Sequence, residues 1–287
     1  MTAPATSQSP PRLVSPVPTV IARLVRRPTF ILSVAVLIFW LIAPLAVAVK
    51  GLDPYSQVGA AIQPPGAGTL LGTDHLGRSV AIRLLAGAAP ILTVAPAATA
   101  LATIAGTVLG LTAGYHRGRI GDDILMRSFD IINALPGIVA VLLVATVFGH
   151  SPMALVLSIA IFFAPIVART VRSAVLVEMG KQYVEAARTQ GESTHRILFA
   201  ELLPNVTPAI VVEATTRLGY AIFVSAGLSF LNLGAQPPSP DWGLVVSQNR
   251  IFIQTAWWSV AFPALAIISL VVAINLIADH LAEVLGR

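Results

Sequence analysis

Glu213 and Arg217, four residues apart, stand inside an otherwise apolar run of this 287-residue chain. Charge in such surroundings is costly and must face protein or water, and Glu ahead of Arg at this spacing is the favourable order on a helix. Two roles fit: a mutually neutralised structural pair, or polar contacts for a solute on a path through the membrane. Little else in the sequence suits bond chemistry. The chain has no Cys, which removes disulfides, thiolate metal sites and a cysteine nucleophile. Its five His are scattered over separate loops without ligand spacing. There is no H-E-x-x-H, and no G-x-x-x-x-G-K-[S/T] phosphate loop: Gly180-Lys181 is followed by Gln182, with no Gly at the required distance before it. An intramembrane enzyme would need a nucleophile, paired carboxylates or metal ligands in the apolar runs, where Glu213 is the sole carboxylate. A proton-coupled carrier is the stronger rival reading, because Glu213 could titrate there.

The elements that hold these residues follow from composition. The chain is 56% hydrophobic and 11% charged, with a mean hydropathy of +0.83, against roughly 25% charged in soluble domains. A chain of this kind is neither disordered nor able to cover a water-facing surface, which leaves an integral membrane protein. Crossing ~30 Å of hydrocarbon takes about 20 apolar residues, and six runs qualify: Phe30–Val49, Ala89–Ala113, Ile131–Phe148, Pro152–Ala168, Val206–Leu233 and Trp257–Ala278. None alternates apolar and polar residues as barrel strands do, so an all-α bundle of six transmembrane helices is expected. Prolines 44, 90, 96, 136, 165 and 263 lie inside or at the ends of these runs as candidate kinks. Ala102, Gly106, Gly110 and Gly114 form a small-residue stripe on the second run, suited to close helix packing or to a hinge.

Of the 18 Lys and Arg, 13 fall on one side of this arrangement, four on the other and Arg217 within the fifth run. The positive-inside rule makes the 13-residue side, which carries both termini, cytoplasmic. Spread over loops beside apolar runs, this charge is topogenic and forms no nucleic-acid tract. The chain divides into a partly disordered cytoplasmic tail (1–29), a first crossing with its external loop (30–88), a five-helix core (89–278) and a cytoplasmic C-terminus (279–287).

The longest cytoplasmic connection, 169–205, is too long for a simple link. Leu176, Met179, Tyr183, Ala186 and Ala187 recur with helical period, with Glu178, Lys181, Glu185 and Arg188 on the opposite face. Gly191 reads as a helix stop and Ser193 or Thr194 as the cap of a second helix that runs through Ile197, Leu198 and Leu202 to Pro204. This helix-turn-helix either docks into a groove on a soluble partner or lies on lipid headgroups.

Glu185-Ala186-Ala187, then Gly191, then Leu203-Pro204 resembles the EAA motif of permeases in binding-protein-dependent ABC importers; Glu201 stands where that family usually has Ile. Leu71-Gly72-Thr73-Asp74-His75-Leu76-Gly77-Arg78 is similar to the first external loop of C-type permease subunits of oligopeptide, dipeptide and nickel importers, with Ser79 where Asp is usual. Gly114-Tyr115, Asp122 or Asp123, Met126-Arg127, Asp130-Ile131 and Pro136 resemble a second block. Leu228 to Gly234, followed by Pro237-Pro238 and Trp242-Gly243, resembles a third, with Asn232 in place of Gly and Ser225 in place of Glu.

The resemblance implies an ABC importer type I permease fold in a bacterial inner membrane. It also implies a homologous second permease chain, two ATP-binding subunits that hold the ATP and Mg, and an extracytoplasmic solute-binding protein, with no cofactor bound by this chain. Short peptides are the favoured cargo; nickel, glutathione and haem-like compounds fit a similar scaffold. Tyr183, Glu185, Ala186, Ala187, Gly191, Leu203 and Pro204 are then the ATPase-coupling residues, with Glu185 the polar anchor. Asp74, Arg78 and Trp242 are candidate external contacts, and His75 reads as an ordinary loop residue.

Overall fold

The computed structural model describes residues 24, 27–66, 68–118, 120–134, 136–149 and 151–285. Most of the N-terminal tail, Arg119 and Arg287, whose charges count toward the cytoplasmic side, lie outside them. The described residues form α-helices joined by loops, with only isolated β-bridges at Gln57 to Arg78 and Thr73 to Ser79. The helices are α1 (Pro28–Val49), α2 (Val80–Ala86), α3 (Ala88–Tyr115), α4 (Ile120–Ala134), α5 (Gly137–Phe148), α6 (Pro152–Glu178) and α7 (Gln182–Thr189). They continue with α8 (Thr194–Phe230), α9 (Trp242–Asn249) and α10 (Trp258–Leu285).

Among the described residues, five helices are long and apolar enough to span a bilayer: α1, α3 in continuation of α2, α6, α8 and α10. The third run is not the straight helix expected over Ile131–Phe148. It breaks at Pro136 into α4 and α5, bent 97° apart. Pro136 is extended (φ −53°, ψ 128°) and caps α5, because its ring fixes φ and supplies no N–H for a continuing ladder. The 12 residues of α5 reach only about 18 Å. The two ends of the chain decide how this bent pair counts. Arg27, just before α1, meets Glu283 near the end of α10, with Nη2 to Oε1 at 2.6 Å, and Thr29 reaches the His280 ring at 2.9 Å. Both described ends therefore sit at one end of the bundle, as an even number of crossings requires, and α4 with α5 supplies the sixth.

Local chemistry fixes several boundaries. Ser151 accepts from Ala154 N–H at 3.0 Å and opens α6 with Pro152 in its first turn. Gly149, at φ +83°, ends α5. The bundle is organised around α3 and α6. A Cβ on Gly106, Gly110 or Gly114 would lie within 2.6 Å of Val167, the Ala168 carbonyl or Val175, so the glycine stripe lets these two backbones approach closely. One apolar core, including Ile91, Ala98, Ile159, Phe163, Ile222 and Leu270, fills the membrane part; a second, including Leu111, Val171, Val175, Val184 and Leu202, lies under the 169–205 connection. Outward-facing apolar residues such as Leu32 and Leu45 of α1, 66% and 64% exposed, suit a lipid environment.

Candidate functional site

The connection over 169–205 is a short helix held between two long ones. The periodicity predicts one helix from Leu176 to Arg188, but the chain turns at Met179–Lys181 between α6 and α7. Glu178, assigned by periodicity to the outer face, is instead 9% exposed. Its carboxylate accepts from Lys181 Nζ at 2.7 Å and from Tyr183 Oη at 2.8 Å, closing that turn. Burial and the facing Glu178 push the Tyr183 phenol up, so it stays a proton donor.

Beyond the turn, Val184 and Ala187 of α7 point inward against the second core. Glu185, Ala186, Arg188 and Thr189 face out. The Arg188 guanidinium lies 4.9 Å above the Tyr115 ring, tying α7 to the end of α3. Gly191 adopts φ +75°, while its N–H bonds Arg188 O at 3.0 Å and Glu192 N–H bonds Ala187 O at 3.1 Å. This pair of bonds is a Schellman helix end, which needs a residue at ease in the left-handed region. Ser193, rather than Thr194, caps the start of α8, accepting from Arg196 N–H.

The second helix does not stop at Pro204. It runs through a π-helical stretch at Ile197–Leu202, where Leu203 N–H bonds Leu198 O, directly into the fifth span. Pro204 lacks an N–H, and the wider turn accommodates the missing bond. Leu203 packs partly on the second core and Pro204 is exposed. Of the seven coupling residues expected from sequence, Glu185, Ala186 and Pro204 form surface. Tyr183, Ala187 and Leu203 hold the loop to the bundle, and Gly191 sets its turn.

Two ion pairs brace this end. Arg172 of α6 grips Asp122 of α4 through Nε and Nη2, at 2.9 and 2.7 Å, and Arg169 reaches Asp130 at 2.8 Å. Asp122, not Asp123, is thus the buried member of that block. Sequence reading missed the Arg172 role, since nothing local marks which loop cation will meet which carboxylate.

Inside the membrane, Arg217 Nε lies 2.5 Å from Glu213 Oε1. Thr170 of α6 donates to Glu213 Oε2 at 3.2 Å, and Arg217 also faces the Phe163 and Tyr220 rings at 5.9 and 5.3 Å. The pair is satisfied by its own partners and packs toward α6.

The residues expected to make external contacts are placed differently from expectation. Asp74 and Trp242 are 0% exposed and Arg78 5%, so none presents a contact surface. Asp74 accepts from the N–H groups of Leu76 and Arg78 and from Arg78 Nε at 2.7 Å, with Arg83 Nε 3.6 Å away. Arg83, read from sequence only as a topogenic charge, donates to the carbonyls of Pro54, Pro238 and Ser239. Trp242 donates to Leu84 O at 2.7 Å and packs edge-on against Trp40. His75 is half-buried, stacked on Phe252 and bonded to Asn249. These residues lock this corner because loop backbone carbonyls there are buried and need donors. No group of three or more His, Cys, Asp or Glu capable of holding a metal occurs among the described residues.

Asp241 caps α9 through Leu244 N–H at 3.1 Å and is 2% exposed. Burial pushes its carboxyl up to about 6. A raised carboxyl favours the fold when protonated, so its stabilisation is present below the unfolded value of 3.8 and is lost as pH rises through about 6. Asp241→Asn keeps an accepting oxygen for the cap and removes the charge. Melting curves at pH 4.5 and 7.5 are expected to show a smaller loss of stability between the two pH values in the variant, by on the order of 2 kcal/mol. Equal slopes would show that the carboxyl does not titrate in this window.

The comparisons with known proteins agree with this architecture. Residues 106–287 match the family model described as "Binding-protein-dependent transport system inner membrane component". The chain is 39% identical over 216 residues to the di/tripeptide transport system permease protein DppC of Pseudomonas aeruginosa, covering 75% of this chain and 71% of that one. It is 41% identical over 224 residues to the dipeptide transport system permease protein DppC of Alkalihalophilus pseudofirmus, covering 78% and 73%. The glutathione transport system permease protein GsiD of Pectobacterium atrosepticum is 36% identical over 256 residues, covering 89% and 84%. Among solved structures, the inward-facing MetNI methionine ABC transporter superposes with a TM-score of 0.56 at 22% identity, over 71% of this chain and 97% of that one. This likeness shows that the type I permease fold is shared. The chain belongs to the family of inner-membrane components of binding-protein-dependent transport systems.

Proposed function

We propose that this chain is one of two homologous permease subunits of an importer for short peptides. It forms half of the path and is driven through its cytoplasmic loop by two separate ATP-binding subunits. An external solute-binding protein delivers the cargo. The peptide assignment is supported by relatives named as di/tripeptide and dipeptide permeases, and the inner-membrane location by the family's description. With the cation-rich side taken as cytoplasmic, both termini and the α7 bracket lie on that side.

The observation that carries the reading is the construction of α7. A helix that presents Glu185 and Ala186 outward is tied to α6 through Glu178 and to α3 through Arg188, and turns into α8 at Gly191. A push on that helix reaches α6, α3 and α8 together, which is what coupling to an outside motor requires. A proton-coupled carrier needs a carboxylate free in the path, whereas Glu213 is tied to Arg217 and Thr170.

Glu185 is exposed and spends no bond of its own side chain on the fold, so Glu185→Lys is expected to leave membrane insertion intact and to cut ATP-driven import by about tenfold or more through charge mismatch at the docking surface. Gly191→Pro cannot adopt φ +75° and loses the bond to Arg188 O, and is expected to uncouple transport while leaving membrane insertion intact. Import and ATP hydrolysis by the reconstituted complex are measured together. Normal import by either assembled variant would refute the assignment.

A further inference from the structure

Helical threonines in this chain commonly fold the hydroxyl back onto the carbonyl four residues earlier, as Thr112, Thr207, Thr215 and Thr216 do at 2.8–3.0 Å. Thr99, Thr103 and Thr107 of α3 do not. Their hydroxyls are shut off from solvent and bonded to nothing, and Thr99 as a whole is 6% exposed. Unbonded buried hydroxyls oppose folding, yet here three recur at four-residue intervals along one helix face. Thr99 and Thr103 border a groove of about 350 Å³ between α3 and α8, lined also by Pro96, Ile104, Thr215 and Leu218, and Thr107 continues the row one turn beyond it. The neighbouring face of α3, with Gly106 and Gly110, is packed tightly on α6, whereas the groove separates α3 from α8 along this stretch.

Four residues of helix advance about 6 Å. Along one edge of an extended peptide, groups facing the same way repeat every two residues, about 6.6–6.8 Å. The threonine row therefore nearly matches the spacing of main-chain amides in an extended chain. We infer that Thr99, Thr103 and Thr107 form a cargo-facing wall of the path that takes the main-chain amide groups of an extended peptide, whatever its side chains. The inference rests on the peptide-importer reading above. It also gives the unsatisfied hydroxyls a partner: cargo that bonds them stabilises an arrangement in which they open onto the groove over the one described here, in which they are shut off from solvent.

The test uses the complete complex in proteoliposomes with its solute-binding protein. Since the chain has no native Cys, Thr103→Cys adds its one thiol, with background read from the wild-type complex. A cationic methanethiosulfonate is expected to modify that thiol during ATP turnover, and trialanine to slow the modification several-fold. The triple variant Thr99→Val, Thr103→Val, Thr107→Val keeps side-chain shape and removes the hydroxyls. It is expected to assemble and melt no lower than wild type, import trialanine about tenfold more slowly, and lose the wild-type preference for trialanine over its N-methylated analogue. A thiol that stays unreactive in every nucleotide state, or a triple variant that imports trialanine at the wild-type rate, overturns the proposal. Loss of the second permease chain from the purified triple variant also overturns it, assigning the row to the subunit interface. A wild-type complex that imports no trialanine overturns instead the peptide reading of the whole chain.

Discussion

Asp74→Ala is expected to cost about 3–5 kcal/mol, because it leaves two buried guanidinium groups without their counter-charge. Asp74 is fully enclosed and takes the backbone N–H groups of Leu76 and Arg78, Arg78 Nε at 2.7 Å and the more distant Arg83 Nε. Arg83, 2% exposed, joins α2 to the carbonyls at Pro54, Pro238 and Ser239 and so binds three stretches of external chain into one corner. Thermal melting of the purified complex should fall by roughly 10 °C, the shift expected of such a loss in a chain this size. Asp74→Asn, which keeps an accepting oxygen but no charge, should fall between. Arg78→Met in the Asp74→Ala background should recover part of the loss, since it withdraws one uncompensated charge; the cycle isolates the pair. Melting of Asp74→Ala within about 1 °C of wild type would show that the corner is wet and the charges are solvated.

That corner marks the limit of what the sequence discloses. The apolar runs were legible because hydrocarbon thickness sets a minimum length and forbids bare peptide groups. Their ends were less so: α6 continues to Glu178 and α10 to Leu285, since a helix has no reason to stop where the lipid does. Pro136 was visible as a break, but its angle depends on how α4 packs against α6 through Asp122 and Arg172. In the coupling loop, Gly191 and a cap at Ser193 or Thr194 could be read because each is a local backbone requirement. The turn at Gly180 could not, since it is closed by Glu178 reaching forward to Tyr183. Asp74, Arg78 and Trp242 looked like loop residues available to a partner. Their burial depends on Arg83, Leu84 and Trp40, contacts that no local pattern announces.

Gly110→Leu is expected to prevent a native bundle from forming, and Gly110→Ala to destabilise it by about 1–3 kcal/mol, the cost of overpacking a close interface. At Gly110 a Cβ would stand 2.6 Å from the Ala168 carbonyl oxygen and 2.7 Å from Val171 Cβ. Neither neighbour can rotate away, because one is backbone and the other is the branch point of a fully buried valine. Alanine's helix propensity would by itself favour the substitution by about 1 kcal/mol, so a net loss in stability measures the clash directly. Gly121→Ala, at a helical position with nothing within 4 Å of a new Cβ, serves as the control and should be neutral or slightly stabilising. The consequence reaches beyond packing. Parting α3 from α6 loosens the pair on which α7 is mounted, through Glu178 on one side and Tyr115 beneath Arg188 on the other. In the assembled Gly110→Ala complex, import per ATP hydrolysed should therefore fall further than the amount of folded complex falls. A ratio equal to wild type would mean that α3 and α6 need not move as one for the cytoplasmic push to reach the path.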